Sequence, residues 1–289
     1  MVFSVIGGDE RQILTAKNLL KLGHEVYLFG LPESDGMQNA DSVCSAVCRA
    51  DAVILPVPCS KDGMTVTATL TNDVIFLEDI IGCGPRIFFG GMINKQLQNA
   101  LIGKGIPFYD YFTDGALIYN NAVLTAEAAI GAAVTGTKRS VFGSKALVIG
   151  YGRIGERLAG YLKNFGANVT AASRSDATLA KISADGMTAI KTDEIKDIPI
   201  DFDYIFNTAP APLLDAKFFS RCKSTAFVCD LATNAGTDFA AAKKFGINAG
   251  LFSGLPGKYS PVSASAFITA VICDHIKSYQ KAEERKCKE

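Results

Sequence analysis

The chain has no tryptophan and only two histidines, His24 and His275, in 289 residues. A histidine proton relay therefore has few candidates. His24 follows Gly23 in a helix-to-strand turn and His275 lies in a terminal helical pattern, so each reads first as a surface or packing residue. Excess charge is also missing: Lys plus Arg and Asp plus Glu both number 29, which leaves nothing to draw the chain to nucleic acid or an anionic membrane. No apolar run reaches the length of a membrane span, and the N-terminus enters a strand without the cationic start of a signal peptide. A cytosolic protein working on small molecules is expected. There is no CxxC pair among the eight cysteines, and Cys44 with Cys48 is the one close couple. In a reducing compartment they are expected to be buried thiols, with no metal site.

What is present is organised around Lys145 to Asp176. Ala146 to Ile149 is an uncharged apolar run, as a buried parallel strand would be, and an amphipathic helix follows from about Arg153. Between them stand Gly150, Tyr151, Gly152, Arg153, Ile154 and Gly155, a GxGxxG that closes a strand, opens a helix and precedes a second strand, Asn168 to Ala172. Gly150 permits the tight turn, Gly152 lets backbone approach a pyrophosphate, and Gly155 lets the helix sit close on the strand. The diphosphate is expected on the free N–H groups at the positive helix end. A site for NAD would place Asp or Glu at the end of the second strand to accept from the ribose hydroxyl. Here Ser173, Arg174 and Ser175 stand instead, and an arginine flanked by hydroxyls suits a 2′-phosphate, so NADP is the expected cofactor.

Later strands end in residues that read as the cofactor rim of a doubly wound sheet. Tyr204 to Asn207 leads into Thr208, Ala209 and Pro210; Ala226 to Cys229 leads into Asp230 and Leu231; Asn248 to Leu251 leads to Leu255, Pro256 and Lys258.

The first 30 residues repeat the pattern in register. Val5, Ile6, Gly7 and Gly23 correspond to Val148, Ile149, Gly150 and Gly166, so a second doubly wound domain is expected. The positions matching Gly152 and Gly155 hold Asp9 and Gln12, and a carboxylate there would repel a diphosphate. The repeat reads instead as a substrate site, with Gly7, Gly8, Arg11 and Gln12 at the end of the first strand and Pro56, Gly90 and Gly91 at the ends of the next. Backbone N–H groups and the Arg11 fork would clamp a carboxylate. Asp9 reads equally as a helix N-cap, Arg11 as a solvated first-turn residue, and Gly90 with Gly91 as a simple turn.

From Asn121 to about Val134 an alanine-rich helical pattern sits where the two domains should join, with Asn120, Asn121, Thr125 and Glu127 as caps or ligand-facing residues. Ser260 to about Lys281 reads as a long helix, with a charged tail from Glu283 that is expected to fray. The expected architecture is α/β, with two doubly wound parallel-sheet domains joined by a long helix. Residues 1–121 form a flavodoxin-like substrate domain, completed by a C-terminal helix over 262–289, and 122–261 form a Rossmann domain for NADP.

GGDERQ at the N-terminus, TAEAAI in the linking helix, VIGYGRIG, NTAP, DLA followed by GTDF, and GLPGKYSP together resemble the dipicolinate synthase A-subunit family of endospore-forming bacteria. The resemblance spans nearly the whole chain, and its wider architecture is similar to D-2-hydroxyacid dehydrogenases. It departs from the family pattern at Val262 to Ser265 and at Leu124. It implies oxidation of dihydrodipicolinate, a lysine-pathway intermediate, to dipicolinate with NADP in the sporulating mother cell, beside a partner, the B-subunit of dipicolinate synthase. On that reading Arg11 with the Gly7 and Gly8 amides holds one carboxylate of a dicarboxylate, Lys258 stands near the other, and Asp9 takes the proton. Two other readings remain: a different NADP-dependent dehydrogenase of 2-hydroxy or imino acids, and a non-catalytic NADP-binding subunit of a partner enzyme. A homo-oligomer is also left open.

Overall fold

A computed structural model describes residues 1–286, with side chains through Lys281. The tail beyond, expected to fray, lies outside the described residues. The chain divides into two compact units, Met1–Asn120 with Ser260–Glu289, and Asn121–Tyr259.

The first unit runs β1 (Val2–Ile6), α1 (Glu10–Lys21), β2 (Glu25–Phe29), β3 (Gln38–Asn39), α2 (Val43–Arg49), β4 (Ala52–Ile54), α3 (Leu77–Gly82), β5 (Phe88–Gly90), α4 (Lys95–Gly103), β6 (Phe108–Asp110) and the start of α5 (Gly115–Thr137). The second continues with β7 (Lys145–Ile149), α6 (Arg153–Asn164), β8 (Asn168–Ser173), α7 (Asp176–Ala184), β9 (Thr188–Lys191), β10 (Tyr204–Asn207), α8 (Ala216–Phe219), β11 (Phe227–Asp230), α9 (Phe239–Lys244), β12 (Asn248–Leu251) and α10 (Leu255–Tyr259). Finally α11 (Pro261–Lys286) belongs to the first unit.

Both sheets are parallel, six-stranded and wound in the same way: β3-β2-β1-β4-β5-β6 and β9-β8-β7-β10-β11-β12. Strand order reverses between β1 and β4 and between β7 and β10, which puts each glycine turn at a switch point, where open α/β sheets bind ligands. Without the two-residue edge strand β3, the first sheet has the flavodoxin order.

The strands are apolar throughout because both faces are covered. Phe3 and Val5 of β1 pack with Ala16, Leu19, Ile268, Ile272 and Ile276, under α1 and α11, while Ile6 turns to the other face with Val47, Ile80 and Leu97. In the second unit Ala146 and Val148 meet Ala129, Ala133, Leu158 and Leu162, and Leu147 and Ile149 meet Phe218, Val228 and Ala242. Helix α11 starts with Pro261 at its first position, where proline's missing N–H costs nothing. It lies on α1 through a polar seam: Asn18 donates to Ser265 Oγ at 3.5 Å and to Thr269 Oγ1 at 3.4 Å.

Three expectations are corrected. Helix α5 starts at Gly115, capped by Asp114, which accepts from Leu117 N at 2.8 Å. Asn120, Asn121, Thr125 and Glu127 are therefore interior helix residues and not caps, and Thr125 bonds back to the Asn121 carbonyl at 2.7 Å. By length and composition α5 is also apolar enough to cross a membrane, with a mean hydropathy of 1.3. Ala126, Ala129 and Ala133 on it are fully buried, as in a core helix. Third, the thiols are not all buried. Cys44 and Cys48 are exposed with sulfurs 3.5 Å apart, because α2 spends its inner face on Ala46 and Val47.

Candidate functional site

In the second unit the GxGxxG has the form that a bound diphosphate needs. Gly150 has φ +89°, and a side chain there would meet Thr208 Oγ1 at 2.5 Å. A Cβ on Gly155 would stand 2.1 Å from the Gly150 carbonyl oxygen, so only glycine lets α6 press this closely on the turn. Gly152 is the N-cap of α6 and supplies no side-chain cap; a Cβ built on it meets nothing within 4 Å. The turn is thus closed where the chain crosses itself and open where an anion would lie, over first-turn N–H groups at the positive helix end. Arg153 is exposed beside it and Ile154 half-buried. The carboxylate of Glu156 is matched by Lys181 at 2.8 Å.

At the end of β8, Ser173 Oγ accepts from Ser175 N at 3.3 Å, and Ser175 caps α7 by accepting from Thr178 N at 3.4 Å. Both hydroxyl hydrogens remain to be donated. Arg174 is exposed and enters no ion pair among the described residues. The nearby carboxylate Asp176 is held by Lys191 at 3.0 Å, and Lys191 is the register partner of Ser173.

The other rim residues divide by exposure. Asn207 and Asp230 are fully buried register partners that bond to each other at 3.2 Å; Asp230 also accepts from Ala232 N at 3.0 Å and Gly236 N at 2.9 Å. They tie two strand ends together and have no face left for a ligand. Thr208 Oγ1 is directed to the Ile149 and Gly150 carbonyls at 3.0 and 3.2 Å, bracing the glycine turn. Leu255 and Pro256 are buried in the short helix α10, with Leu255 in the core cluster. The side chains of Asn207, Asp230, Thr208 and Leu255 are thus engaged within the protein, where they hold the loops around the glycine turn. Pro210 is exposed and Leu231 half-buried, so both remain on the rim. Lys258 is exposed on α10 and forms no ion pair among the described residues.

The first unit repeats the turn and fills it. Gly7 and Gly8 have φ +63° and +103°, but the Gly7 amide donates to Phe29 O at 2.9 Å, and Gly8 pairs with Ala68, whose neighbour Thr69 donates its N–H to Gly8 O at 2.9 Å. Val66 Cγ1 lies 2.8 Å from where a Gly7 Cβ would be. The expected amide clamp is therefore corrected: the Gly7 amide is spent on Phe29 O, and the Val66 to Thr69 segment packs over both glycines. Asp9 is the N-cap of α1, accepting from Arg11 N at 3.0 Å, and it also grips the Arg11 side chain, from Nε at 2.9 Å and from Nη2 at 2.7 Å. Arg11 Nη2 donates besides to Val57 O at 2.9 Å, so Arg11 is a buried, anchored cation and not a solvated one. Burial works to raise the Asp9 pKa, but the Arg11 hydrogen bonds and charge outweigh it and hold the carboxyl below its ordinary value. A carboxylate so committed is a poor proton acceptor, which corrects that expectation of Asp9 and leaves it to orient Arg11. Gln12 is fully buried, and neither atom of its amide has a hydrogen-bond partner. Pro56 O accepts from Gly91 N at 3.0 Å, and a Cβ on Gly91 would clash with Val57 Cβ at 2.4 Å. Gly90 and Gly91 are buried. With Pro56 they pack the loops together and do not present atoms to a ligand.

His24 stands edge-on to Phe3 at 5.0 Å, and His275 stacks on Tyr109 at 3.8 Å. Burial lowers the pKa of both.

Residues 2–112 match the family model of the dipicolinate synthase A-subunit N-terminal domain, and residues 121–241 that of the D-isomer specific 2-hydroxyacid dehydrogenase NAD-binding domain. The dipicolinate synthase A-subunit of Bacillus subtilis is 31% identical over 98% of this chain and 98% of its own length. The crystal structure of the A-subunit from Bacillus halodurans superposes with a TM-score of 0.83 at 28% identity, covering 94% of this chain and 96% of that one. The crystal structure of the B. subtilis protein gives 0.82 at 29% identity, covering 98% and 97%. With a relative 31% identical over 98% of the chain and the N-terminal domain model matched over residues 2–112, the chain belongs to the dipicolinate synthase A-subunit family, an oxidoreductase with a Rossmann domain for a nicotinamide dinucleotide.

Proposed function

We propose that the protein oxidises dihydrodipicolinate to dipicolinate with NADP, beside the B-subunit of the synthase, in the mother-cell cytoplasm of a sporulating bacterium. Residues 1–121 with the C-terminal helix serve the substrate and 122–261 the cofactor. The observation that carries the cofactor half is the uncapped, open turn at Gly152, followed by a strand end with Arg174 and two hydroxyls and no unpaired carboxylate. The dinucleotide, when bound, supplies the hydride acceptor. Loss of hydride and a proton from the dihydro ring yields an aromatic pyridine, so no strong base is required, which suits a chain with two packed histidines. What remains for the protein is orientation. Arg11, fixed by Asp9 and Val57 O, keeps its Nη1 N–H groups for one substrate carboxylate, beside the unpartnered Gln12 amide.

Nicotinamide absorbance, followed with and without the B-subunit, tests this reading. Reduced cofactor is expected only with NADP and the cyclic diacid. Comparable turnover of simple 2-oxo acids would assign another dehydrogenase activity, and hydride transfer seen only after the B-subunit is added would make the chain a cofactor-binding component. Arg11→Ala is expected to raise KM by about tenfold or more, as for a lost charged hydrogen bond, and to leave the NADP Kd unchanged.

A further inference from the structure

A phosphate at the end of β8 needs more than Arg174. It also needs the carboxylate that follows closely in the chain to be silenced. Asp176 is the first residue of α7, two positions beyond Arg174, and at 82% side-chain exposure it would set a negative charge beside an incoming anion. Lys191, the last residue of β9, removes that obstacle. Its Nζ lies 3.0 Å from Asp176 Oδ1, and its Cα is the register partner of Ser173. Register partners on adjacent parallel strands point to the same face, so the ammonium group and the Ser173 hydroxyl rise on one side of the sheet. Lys191 extends from a strand end with its side chain 46% exposed. An ammonium group has three donors, and one is spent on the carboxylate.

We infer that Lys191 is a further specificity residue of the cofactor site: it neutralises Asp176 and donates to the 2′-phosphate that Ser173, Arg174 and Ser175 receive. The inference rests on the NADP reading above. It assigns discrimination between the two dinucleotides to two strand ends, β8 and β9, and it makes Asp176 a brake on phosphate binding that Lys191 releases.

The test is titration of the full-length protein with NADPH and NADH, by nicotinamide fluorescence, for wild type, Lys191→Met, Asp176→Asn and Arg174→Ala. Lys191→Met is expected to weaken NADPH by about tenfold or more, the scale of one charged hydrogen bond, and to leave NADH within about twofold. Asp176→Asn, which removes the brake and keeps the shape, is expected to tighten NADPH by a few-fold and to leave NADH unchanged. Both substitutions are at exposed positions, and an unaltered NADH affinity reports an intact fold. If Arg174→Ala weakens NADPH while Lys191→Met does not, the inference about Lys191 is overturned and the NADP reading stands. If wild type prefers NADH and Arg174→Ala changes neither affinity, the NADP reading fails and takes the inference with it.

Discussion

The two glycine turns of this chain are the same piece of backbone put to opposite uses. Each follows the first central strand of a six-stranded sheet with one winding order, each opens a 12-residue helix, and each helix ends before a glycine of positive φ, Gly23 at +84° and Gly166 at +81°. In the second unit the cap is Gly152 and the first-turn N–H groups face open space. In the first unit the cap is Asp9, which satisfies one of those groups itself, Gln12 stands at the position of Gly155 with its side chain against Gly8, and Val66 to Thr69 close over Gly7 and Gly8. Winding order places a potential site at the switch point, and two or three side chains decide whether an anion or the protein itself occupies it.

Transplanting the cap should test this most sharply. Gly152→Asp has room for its side chain and a compatible φ of −83°, so the protein should fold, gain about 1 kcal/mol from a capped α6, and melt slightly higher. The new carboxylate should weaken dinucleotide binding by roughly a hundredfold or more in a fluorescence titration, since a like charge a few ångströms away costs several kcal/mol at an effective dielectric near 20. Binding within threefold of wild type would break the comparison.

Gly155→Ala comes next. With its Cβ 2.1 Å from the Gly150 carbonyl, α6 must retreat, and a stability loss of about 2–3 kcal/mol with weakened cofactor binding is expected by thermal unfolding and titration.

A smaller effect is expected at Asp9. Asp9→Asn keeps a capping oxygen and loses the charge facing Arg11, so about 1 kcal/mol should be lost at neutral pH in urea unfolding. Because the folded pKa is lowered, the stabilisation is fully present above the ordinary carboxylate value, about 3.9, and disappears as pH falls through the lower folded value. The gap between wild type and variant should therefore be flat from pH 7 to 5 and close in more acidic solution. A gap that widens there would refute the Asp9–Arg11 account.

The smallest contrast lies at the far ends of the two helices. Gly23→Ala and Gly166→Ala each force alanine into a left-handed backbone, at about 1 kcal/mol. A Cβ at 23 meets nothing within 4 Å, whereas at 166 it meets the Phe142 ring at 2.6 Å. Gly166→Ala should cost more by a few tenths of a kcal/mol, because Phe142 is 79% exposed and able to swing away.

Most of the winding and the nucleotide turn were legible because they depend on local patterns: apolar strands of four or five residues, glycines at fixed offsets, and a repeat whose register carried Asp9 onto Gly152. The role of Gly155 followed from spacing alone. What escaped depends on neighbours remote in sequence. That Gly7 and Gly8 are covered requires the Val66 to Thr69 segment to lie alongside, about 60 residues on, and no periodicity announces it. Asn207 and Asp230 looked like ligand contacts because both end strands; only their lateral register shows that they bond to each other. Lys191 passed unnoticed for the same reason, since its partner is Ser173 across the sheet. Asp9 with Arg11, two residues apart, was within reach of sequence reasoning. Opposite charges at a helix start, with the acid as cap, already suggest a pair.

The return of α11 to the first unit has a consequence for biogenesis. Phe3 and Val5 share a core with Ile268, Ile272 and Ile276, so β1 keeps part of its apolar face uncovered until α11 has been synthesised. The dinucleotide-type unit, continuous from Asn121 to Tyr259, can close while its predecessor waits. The interval between those two events is when the nascent polypeptide is most exposed to aggregation and to proteases.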